Sequence, residues 1–314
     1  MVLSKVGLTG GTGMLGRHLQ AALENAGAEV ISVSRSNTTG SVSACWDLAE
    51  WLEPEALDKL FPDVQAIVHA GALVQPSGQV DTARMFDANV RACLNLGQWA
   101  RSRHIPLIYV SGAIVYADIC VPLQKESAEL GWSGLGGFYG FSKLLAEDML
   151  MRLRQQGLKL AIVRPTSIYG WGIPADRMVR RFLTIAEVGD TIELEHPVND
   201  RVDLVHAADV ARGIVAILER EAWDIFNLSS GCPVSVLELA QACIAMARAG
   251  QIAINGNVPE DYRPAMRYSL DIEHARNRLA WQPAIDLPTG LSMLSRGQVL
   301  MNSSSSNQSA DDER

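Results

Sequence analysis

Short apolar runs alternate with amphipathic segments through the first half of the chain. Buried strands are predicted by the runs at 6–9, 30–33, 66–69, 106–111 and 158–164. Between them, apolar residues recur at helical spacing and predict helices at 14–26, 81–104 and 142–156. Continuous apolar strands that alternate with helices are typical of a parallel sheet covered on both faces. The pattern therefore predicts an α/β fold of the Rossmann type, with a doubly wound parallel sheet.

The pattern changes after Pro165, where glycine and proline become more frequent. Strand-like and helical stretches resume at 202–205, 208–220 and 225–228, and we interpret them as a return to the first domain. The pattern predicts two domains: a dinucleotide-binding domain at 1–165 plus 201–230, and a smaller discontinuous α/β substrate domain at 166–200 plus 231–300. The Ser/Asn/Asp-rich end, 301–314, has little to bury and predicts a disordered tail.

Composition and charge exclude several classes of function. Of 314 residues, 48% are hydrophobic, and the net charge is −8 without a basic stripe, so we expect no nucleic-acid partner. The five cysteines are scattered, which argues against a disulfide framework and against a metal site. The beginning of the chain lacks a signal-peptide layout, and no apolar run approaches the roughly 18 residues that span a bilayer. We expect a cytoplasmic protein that does not bind membranes.

Three glycines lie at regular spacing where the first strand meets the first helix. Gly10, Gly13 and Gly16 let the backbone approach a pyrophosphate closely, and the start of the helix supplies unpaired N–H groups to it. This turn predicts a dinucleotide site. The predicted cofactor contacts within it are Gly10, Thr12, Gly13, Met14 and Leu15.

The end of the second strand bears on the choice of cofactor. A carboxylate at this point would bind the adenosine ribose of NAD, whereas an arginine accommodates the 2′-phosphate of NADP. The sequence carries Arg35 between Ser34 and Ser36, without a carboxylate. Arg35 therefore favours NADP over NAD, which stays possible; the alternative is a solvated surface arginine.

Tyr139 and Lys143 lie four residues apart near the start of a predicted helix, so both face one side of it. A lysine cation near a tyrosine favours the phenolate form and makes Tyr139 a usable acid/base. Alone, this spacing arises by chance often enough to be only a hypothesis.

Further segments complete a pattern along the chain: 9–16, 47–48, 69–72, 164–170, 201–210 and 279–283, with Asn89 in the long helix. Through these motifs and the Tyr139/Lys143 pair, the chain resembles the extended short-chain dehydrogenase/reductases, the NAD(P)-dependent epimerase/dehydratase family. The resemblance covers about residues 3–295.

The resemblance implies roles for individual residues. Asp47 and Leu48 would contact adenine, and Lys143 would also hold the nicotinamide ribose. Ribose and phosphate contacts are expected from Ala70, Gly71 and Ala72, and nicotinamide contacts from Pro165 and Ile168.

One departure from the family pattern concerns the reaction itself. The family usually places Ser or Thr four residues before the tyrosine that is Tyr116 here, to hold the substrate oxygen, and that register falls on Gly112. Ser111 is adjacent, but a neighbour on a strand normally points the other way. Either the backbone shifts so that Ser111 becomes the third catalytic residue, or that residue is missing.

On the substrate side, the resemblance matches Arg201 and Arg267 to positions that bind the diphosphate of a nucleotide sugar, which suits two guanidinium groups. Ser167 stands where many such enzymes carry asparagine, so the sequence does not identify the base or the sugar of the substrate. The family also often forms homodimers through the long helix and the Tyr139 helix.

The sequence thus predicts hydride transfer between NADP, or NAD, and a secondary alcohol or ketone, on a small-molecule substrate of the nucleotide-sugar type. Arg35 favours a reductase over an epimerase or dehydratase. A reductase exchanges its cofactor and often prefers NADP, whereas epimerases and dehydratases tend to retain NAD. Two alternatives stay open: a reductase of a hydrophobic alcohol, and a catalytically idle NADP-binding regulator, which Gly112 would explain.

Overall fold

The computed structural model describes residues 4–36, 43–74, 81–134, 136–258, 260–262 and 265–300. The predicted tail at 301–314 lies outside the described residues. Strands and helices alternate in the first half of the chain: β1 Lys5–Thr9, α1 Met14–Asn25, β2 Glu29–Ser34, β3 Ala44–Cys45, α2 Pro54–Leu60, β4 Ala66–His69, α3 Thr82–Phe86, α4 Ala92–Ser102, β5 Leu107–Val110, α5 Gly137–Gln155 and β6 Leu160–Pro165. A π-helical turn, Asp87–Arg91, joins α3 to α4, and a 3-10 turn, Ala113–Val115, follows β5.

The second half contains shorter strands. Its elements are β7 Ser167–Tyr169, α6 Met178–Glu187, β8 Thr191–Glu195, β9 Arg201–Val202, β10 Leu204–His206, α7 Ala207–Arg220, β11 Ile225–Leu228, β12 Val234–Ser235, α8 Val236–Ala247, β13 Gln251–Asn255, β14 Met266–Arg267, α9 Glu273–Leu279 and α10 Leu287–Ser295. Within the described ranges, none of the helices is both long and apolar enough to cross a membrane.

The central sheet has seven strands in the order β11-β6-β5-β4-β1-β2-β3. Each neighbouring pair runs parallel. The predicted Rossmann-type, doubly wound sheet is confirmed. Because all seven strands point the same way, the loops after β1, β2, β4, β5 and β6 meet at one edge, where such folds bind their ligands.

Alternate residues of each strand enter two apolar layers. Ile108 and Val110 of β5 pack on the side of α1 and α7. Leu107 and Tyr109 pack on the side of α4 and α5. A further apolar cluster lies outside the sheet and joins α6, α8 and α10 around Phe182. The domain boundaries given above stay a prediction.

The stretch predicted as one strand at 202–205 forms two short strands, and neither joins the central sheet. β9 pairs with β12 and β14, and β10 pairs with β7. Asp203 lies between them and is fully buried, and its carboxylate accepts hydrogen bonds from Thr166 and from the loop 229–231. These long-range contacts interrupt the strand, and β11 rather than this stretch adds the last strand to the sheet.

Helix α5 begins five residues before the predicted start, because glycines conceal its first turn. Gly136 and Gly137 have positive φ angles of 72° and 53°. The helix is anchored to the sheet by a fully buried ion pair between Glu147 and Arg164 of β6, with 2.7 Å between Oε2 and Nη2. Loss of one partner of such a pair typically costs about 3–5 kcal/mol, so this contact fixes α5 against β6.

Candidate active site

The glycine turn after β1 is packed too closely for side chains. Gly10 has a φ of 76°, and a Cβ there would lie 2.6 Å from Gly71 Cα. A Cβ on Gly16 would overlap the Gly10 carbonyl oxygen. A Cβ on Gly71 would lie 2.8 Å from Leu48 Cδ1. The fold therefore requires glycine at Gly10 and Gly16, where the overlaps are with backbone atoms, whereas at Gly71 the end of the flexible Leu48 side chain could move aside.

The start of α1 is suited to an anion. Its N-cap, Gly13, has no side chain to cap the helix, and the first turn carries no acidic residue. The turn is fastened from two sides: Thr12 Oγ1 lies 2.7 Å from Ser34 Oγ, and Arg17 Nε donates to the Thr12 carbonyl at 3.1 Å. A preformed turn with unpaired N–H groups can hold a phosphate.

A cleft of about 320 Å³ extends from this turn along the strand ends. Met14 and Leu15 are not part of its lining. The residues predicted to contact the cofactor that do line it are Gly10, Thr12, Gly13, Arg35, Asp47, Leu48, Ala70, Gly71 and Ala72. The structure thus brings the residues predicted for the phosphates, the ribose and the adenine to one place.

Arg84 of α3 also lines this cleft, and no pattern in the sequence predicts its presence there. Its Nη2 lies 2.5 Å from Asp47 Oδ2, while Asp47 Oδ1 accepts from the Ala49 N–H at 3.0 Å. Both oxygens of the Asp47 carboxylate are engaged by the protein. This end of the cleft therefore holds the guanidinium groups of Arg35 and Arg84 against one paired carboxylate.

Tyr139 and Lys143 both lie on α5 beside the end of β5. Lys143 is buried, and its Nζ donates to the Val110 carbonyl at 2.8 Å. The same Nζ lies 5.8 Å from the centre of the Tyr139 ring. The predicted pair is thus brought together, with the cation below the phenol ring and fixed to the strand.

The loop 70–74 after β4 lines the cleft and is called the cofactor loop below. The π-helical turn places Asn89 between this loop and α5. Its Oδ1 accepts from Leu73 N at 2.6 Å, and its Nδ2 donates to Leu73 O at 3.0 Å and to Ser142 Oγ at 3.0 Å. Ser142 Oγ in turn donates to the Tyr139 carbonyl at 2.7 Å. Single π turns occur frequently at functional sites. This one positions Tyr139 relative to the loop at Leu73.

The buried wall under Lys143 consists of polar groups in their neutral forms. Burial, and secondarily Lys143, lower the pKa of His69 to about 3, and burial raises the pKa of Cys93 to about 12. Burial also raises the pKa of Tyr109 well above its usual value. These three side chains therefore bring no charge of their own next to Lys143.

Gly112 differs from the glycines of the phosphate turn. Its φ of 174° is extended backbone that any residue adopts. A Cβ built there meets nothing closer than Ile114 Cγ2 at 3.8 Å and the Pro165 carbonyl oxygen at 3.9 Å. The fold therefore does not require glycine at this position, since an added Cβ would make only ordinary van der Waals contacts.

Ser111 is buried, and within the described residues its Oγ has no hydrogen-bond partner. Its N–H donates to Val163 O at 2.8 Å and so continues the pairing of β5 with β6. Side chains alternate along a strand, so Ser111 shares the face of Tyr109, which is the side of α5. The strand direction thus places Ser111 on the side of the helix that carries Tyr139.

The two residues predicted beside the nicotinamide lie on consecutive strands. Pro165 ends β6 and pairs with Leu228. Ile168 lies in β7, pairs with Val205 and packs against the core on the α1 side.

The two arginines predicted to bind a diphosphate lie on neighbouring strands, but their side chains diverge. Arg201 of β9 pairs with Met266, and Arg267 of β14 pairs with Val202, so the two arginines project to opposite faces. Arg201 forms an ion pair with Glu238 at 2.9 Å and donates to the Pro233 carbonyl at 2.7 Å.

Arg267 makes fewer and longer polar contacts with the protein than Arg201. Its one ion pair, with Asp200, spans 3.4 Å, and its buried Nε has no hydrogen-bond partner among the residues that the structure describes. Ser167 begins β7 and pairs with Leu204.

The described residues hold no group of three or more His, Cys, Asp or Glu side chains that could bind a metal ion. The five cysteines are free thiols.

The parallel sheet, the glycine turn and the Tyr139/Lys143 pair define a Rossmann-type enzyme of the NAD(P)-dependent class. A sequence model of the NAD dependent epimerase/dehydratase family matches residues 6–229, and the chain belongs to this family. The predicted family membership and enzyme class are confirmed.

Named relatives cover most of the chain at low identity. UDP-glucuronic acid decarboxylase 6 of Arabidopsis thaliana is 25% identical over 91% of this chain and 86% of its own. A dTDP-4-dehydro-6-deoxy-D-allose reductase of a Streptomyces species is 26% identical over 76% of this chain and 80% of its own. The solved structure of Thermus thermophilus UDP-glucose 4-epimerase in complex with NAD has a TM-score of 0.79 and 21% identity, covering 93% of this chain and 98% of that one.

Proposed function

We propose that this chain is an NADP-preferring reductase that transfers hydride to a ketone, or from the corresponding secondary alcohol, of a nucleotide-linked sugar. The observation that carries the proposal is the buried Lys143, fixed to the Val110 carbonyl below the ring of Tyr139. The nucleotide-sugar class is supported by the relatives, which are named for UDP- and dTDP-linked sugars.

Tyr139 is the acid/base of the proposed reaction. In reduction its phenol donates a proton to the carbonyl oxygen, and in oxidation the phenolate accepts the proton of the alcohol. Lys143 keeps a positive charge beside the ring and so stabilises the phenolate. When bound, the nicotinamide supplies or accepts the hydride.

Ser111 is the proposed donor to the substrate oxygen. It shares the strand face of Tyr109 on the side of α5, and its buried hydroxyl has no partner within the described residues. A donor aimed at the oxygen that gains negative charge stabilises the transition state. Ser111 would thus replace the side chain that Gly112 lacks.

The residues after Gly112 support a reductase over a dehydratase. Ala113, Ile114 and Val115 are apolar and form the turn next to the open position. Removing water from a sugar requires a second proton transfer besides that of Tyr139, and this turn supplies no group for it. Reduction of a ketone needs only one proton transfer, which Tyr139 performs.

The preference for NADP over NAD is supported by the charges at the adenosine end. Arg35 follows β2 directly and lines the cleft with Ser34 and Ser36. The carboxylate of Asp47 is paired with Arg84, so it adds little repulsion toward a ribose phosphate. Guanidinium groups bind phosphate oxygens through two parallel hydrogen bonds.

Arg267 is the stronger candidate for the diphosphate of the substrate. Its buried Nε lacks a partner in the described part of the chain, whereas Arg201 is held by Glu238 and Pro233. In this proposal the discontinuous second domain, 166–200 plus 231–300, supplies the substrate contacts, with Ser167 at its start.

A second candidate substrate is a hydrophobic alcohol. Trp132 is 61% exposed and lies with Phe138 and Phe141 around the start of α5, next to Tyr139. Aromatic side chains beside Tyr139 would suit an apolar substrate.

A panel of NADPH reactions distinguishes the candidates. We expect wild-type protein to oxidise NADPH with at least one nucleotide 4-keto-sugar, and Tyr139→Phe to lose that activity. Turnover only with apolar ketones would favour the second candidate. No tyrosine-dependent turnover in either set would favour an idle NADP-binding regulator.

We further propose a homodimer in the cytoplasm. The exposed sides of α4 and α5 could pair with those of a second copy, and Leu144, Leu145 and Met149 of α5 are only half-buried. Free cysteines suit a reducing compartment. Sedimentation velocity of wild type and of Leu145→Glu tests the dimer, which this substitution should dissociate.

A further inference from the structure

Lys143 lies between two tyrosine rings that come from different elements. Its Nζ is 4.8 Å from the centre of the Tyr109 ring on β5, and 5.8 Å from the centre of the Tyr139 ring on α5. The ring nearer to the cation is therefore the one with no proposed part in the reaction.

The ammonium group of Lys143 needs compensation because it is removed from water. The residue is 3% exposed, and within the described residues its one hydrogen-bond partner is the Val110 carbonyl. A buried ammonium with few hydrogen-bond partners carries a large desolvation cost. The negative face of an aromatic ring within about 6 Å offsets part of that cost.

The other groups around Lys143 give little help. His69 at the end of β4 stacks on Tyr109 at 5.8 Å and is neutral, because its pKa is lowered to about 3. Cys93 of α4 stays a thiol, since its pKa is raised to about 12. From α5, the Glu147 charge is matched by Arg164 of β6. Tyr139 is the group on which the cation is proposed to act.

We propose that Tyr109 is a positioning residue, whose ring face holds the buried Lys143 cation in place so that its charge acts on Tyr139. This inference rests on the proposed function, in which Tyr139 is the acid/base. The hydroxyl of Tyr109 is not needed for this role: burial keeps it protonated, and the ring face makes the contact.

The test follows the ionisation of Tyr139 without a substrate. The near-ultraviolet absorbance of tyrosinate is titrated in each protein, and the same protein carrying Tyr139→Phe is subtracted. The matched variants are Tyr109→Phe, which keeps the ring, and Tyr109→Leu, which removes it; neither has the phenol of residue 109. We expect the pH midpoint for Tyr139 to stay in place in Tyr109→Phe and to rise by about one pH unit in Tyr109→Leu.

A third protein keeps the shape of the ring but removes its negative face. Pentafluorophenylalanine at position 109 should raise the midpoint as Tyr109→Leu does, and it decides the matter if the leucine variant does not fold. Equal midpoints for the phenylalanine and pentafluorophenylalanine proteins would overturn the role of Tyr109.

Lys143→Met separates this inference from the proposed function. It should raise the Tyr139 midpoint at least as far as Tyr109→Leu. If Lys143→Met has no effect, the acid/base proposal itself fails. If it raises the midpoint while the changes at Tyr109 do not, only the role of Tyr109 is lost.

Discussion

The glycine turn and Gly112 are two places where this chain lacks a side chain, for different reasons. At Gly10 and Gly16 a Cβ would overlap backbone atoms, so the fold requires glycine. At Gly112 the backbone is extended, and a Cβ would make only ordinary van der Waals contacts. Packing therefore explains why glycine stands at the phosphate turn, whereas no contact in the fold explains why glycine stands at position 112.

This difference separates the two halves of the proposed reaction. The cofactor half depends on backbone geometry that packing enforces. The substrate half depends on hydroxyl groups, and one of these can be gained or lost without disturbing the fold. Cofactor binding and turnover should therefore respond independently to mutation.

Tyr139→Phe should give the largest effect and tests that independence directly. We expect turnover with a nucleotide 4-keto-sugar to fall by about 10²–10⁴-fold, because the proton donor is removed. The dissociation constant for NADPH should change less than about twofold, since only one hydroxyl is lost and Tyr139 is not among the residues that line the cofactor cleft. Stopped-flow turnover and fluorescence titration measure the two. A parallel loss of NADPH binding would show that the halves are not separable.

Ser111→Ala should lower turnover by about 10²–10³-fold if its hydroxyl serves the substrate oxygen. Gly112→Ser, added to the same protein, should restore part of the rate, because the backbone tolerates a Cβ there and the new hydroxyl stands at the position where the family usually carries one. The measurement is kcat for the single and double variants. Full activity in Ser111→Ala would refute the role of Ser111 and leave the third catalytic residue missing.

Gly16→Ala and Gly112→Ala compare the two kinds of glycine by stability. Alanine is favoured over glycine in a helix by about 1 kcal/mol, so any loss at position 16 is steric. We expect Gly16→Ala to lower the free energy of unfolding by about 1–3 kcal/mol and to weaken NADPH binding.

For Gly112→Ala the free energy of unfolding should change by less than about 0.5 kcal/mol. Urea denaturation of both proteins measures these values. Similar losses in the two would erase the distinction between required and unrequired glycine.

Arg35→Ala should give the smallest effect, and it tests only the preference for NADP over NAD. We expect about a tenfold loss of affinity for NADP with little change for NAD, because one charged contact to the ribose phosphate is removed. Arg84→Ala is the matched comparison, since that arginine lies in the same cleft but is paired with Asp47. If NADP has no advantage that Arg35→Ala removes, the cofactor is NAD.

The features that local sequence could predict are those that local chemistry decides. The strands of the sheet are apolar runs, and the turn from Gly10 to Gly16 is required by contacts within a few residues and against Gly71. Whether Tyr139 and Lys143 share one side of a helix depends only on their spacing. The sequence therefore predicts the pair, although the predicted start of α5 lies five residues after the observed one.

What escaped prediction depends on contacts between distant residues. Asp203 splits a strand through hydrogen bonds to Thr166 and the loop at 229–231. Arg84 reaches Asp47 across 37 positions of sequence. The opposite faces of Arg201 and Arg267 follow from the register of β9 with β14, and a shift of one residue reverses a side chain. No local periodicity encodes any of these.

The amide of Asn89 also has a dynamic consequence. It bonds both backbone groups of Leu73 and, through Ser142, the first turn of α5. The cofactor loop and the catalytic helix should therefore open as one cooperative unit in hydrogen exchange. A ligand that protects the Leu73 amide would slow exchange near Tyr139 as well. By thermodynamic reciprocity, a substrate that orders Tyr139 would tighten the binding of the cofactor.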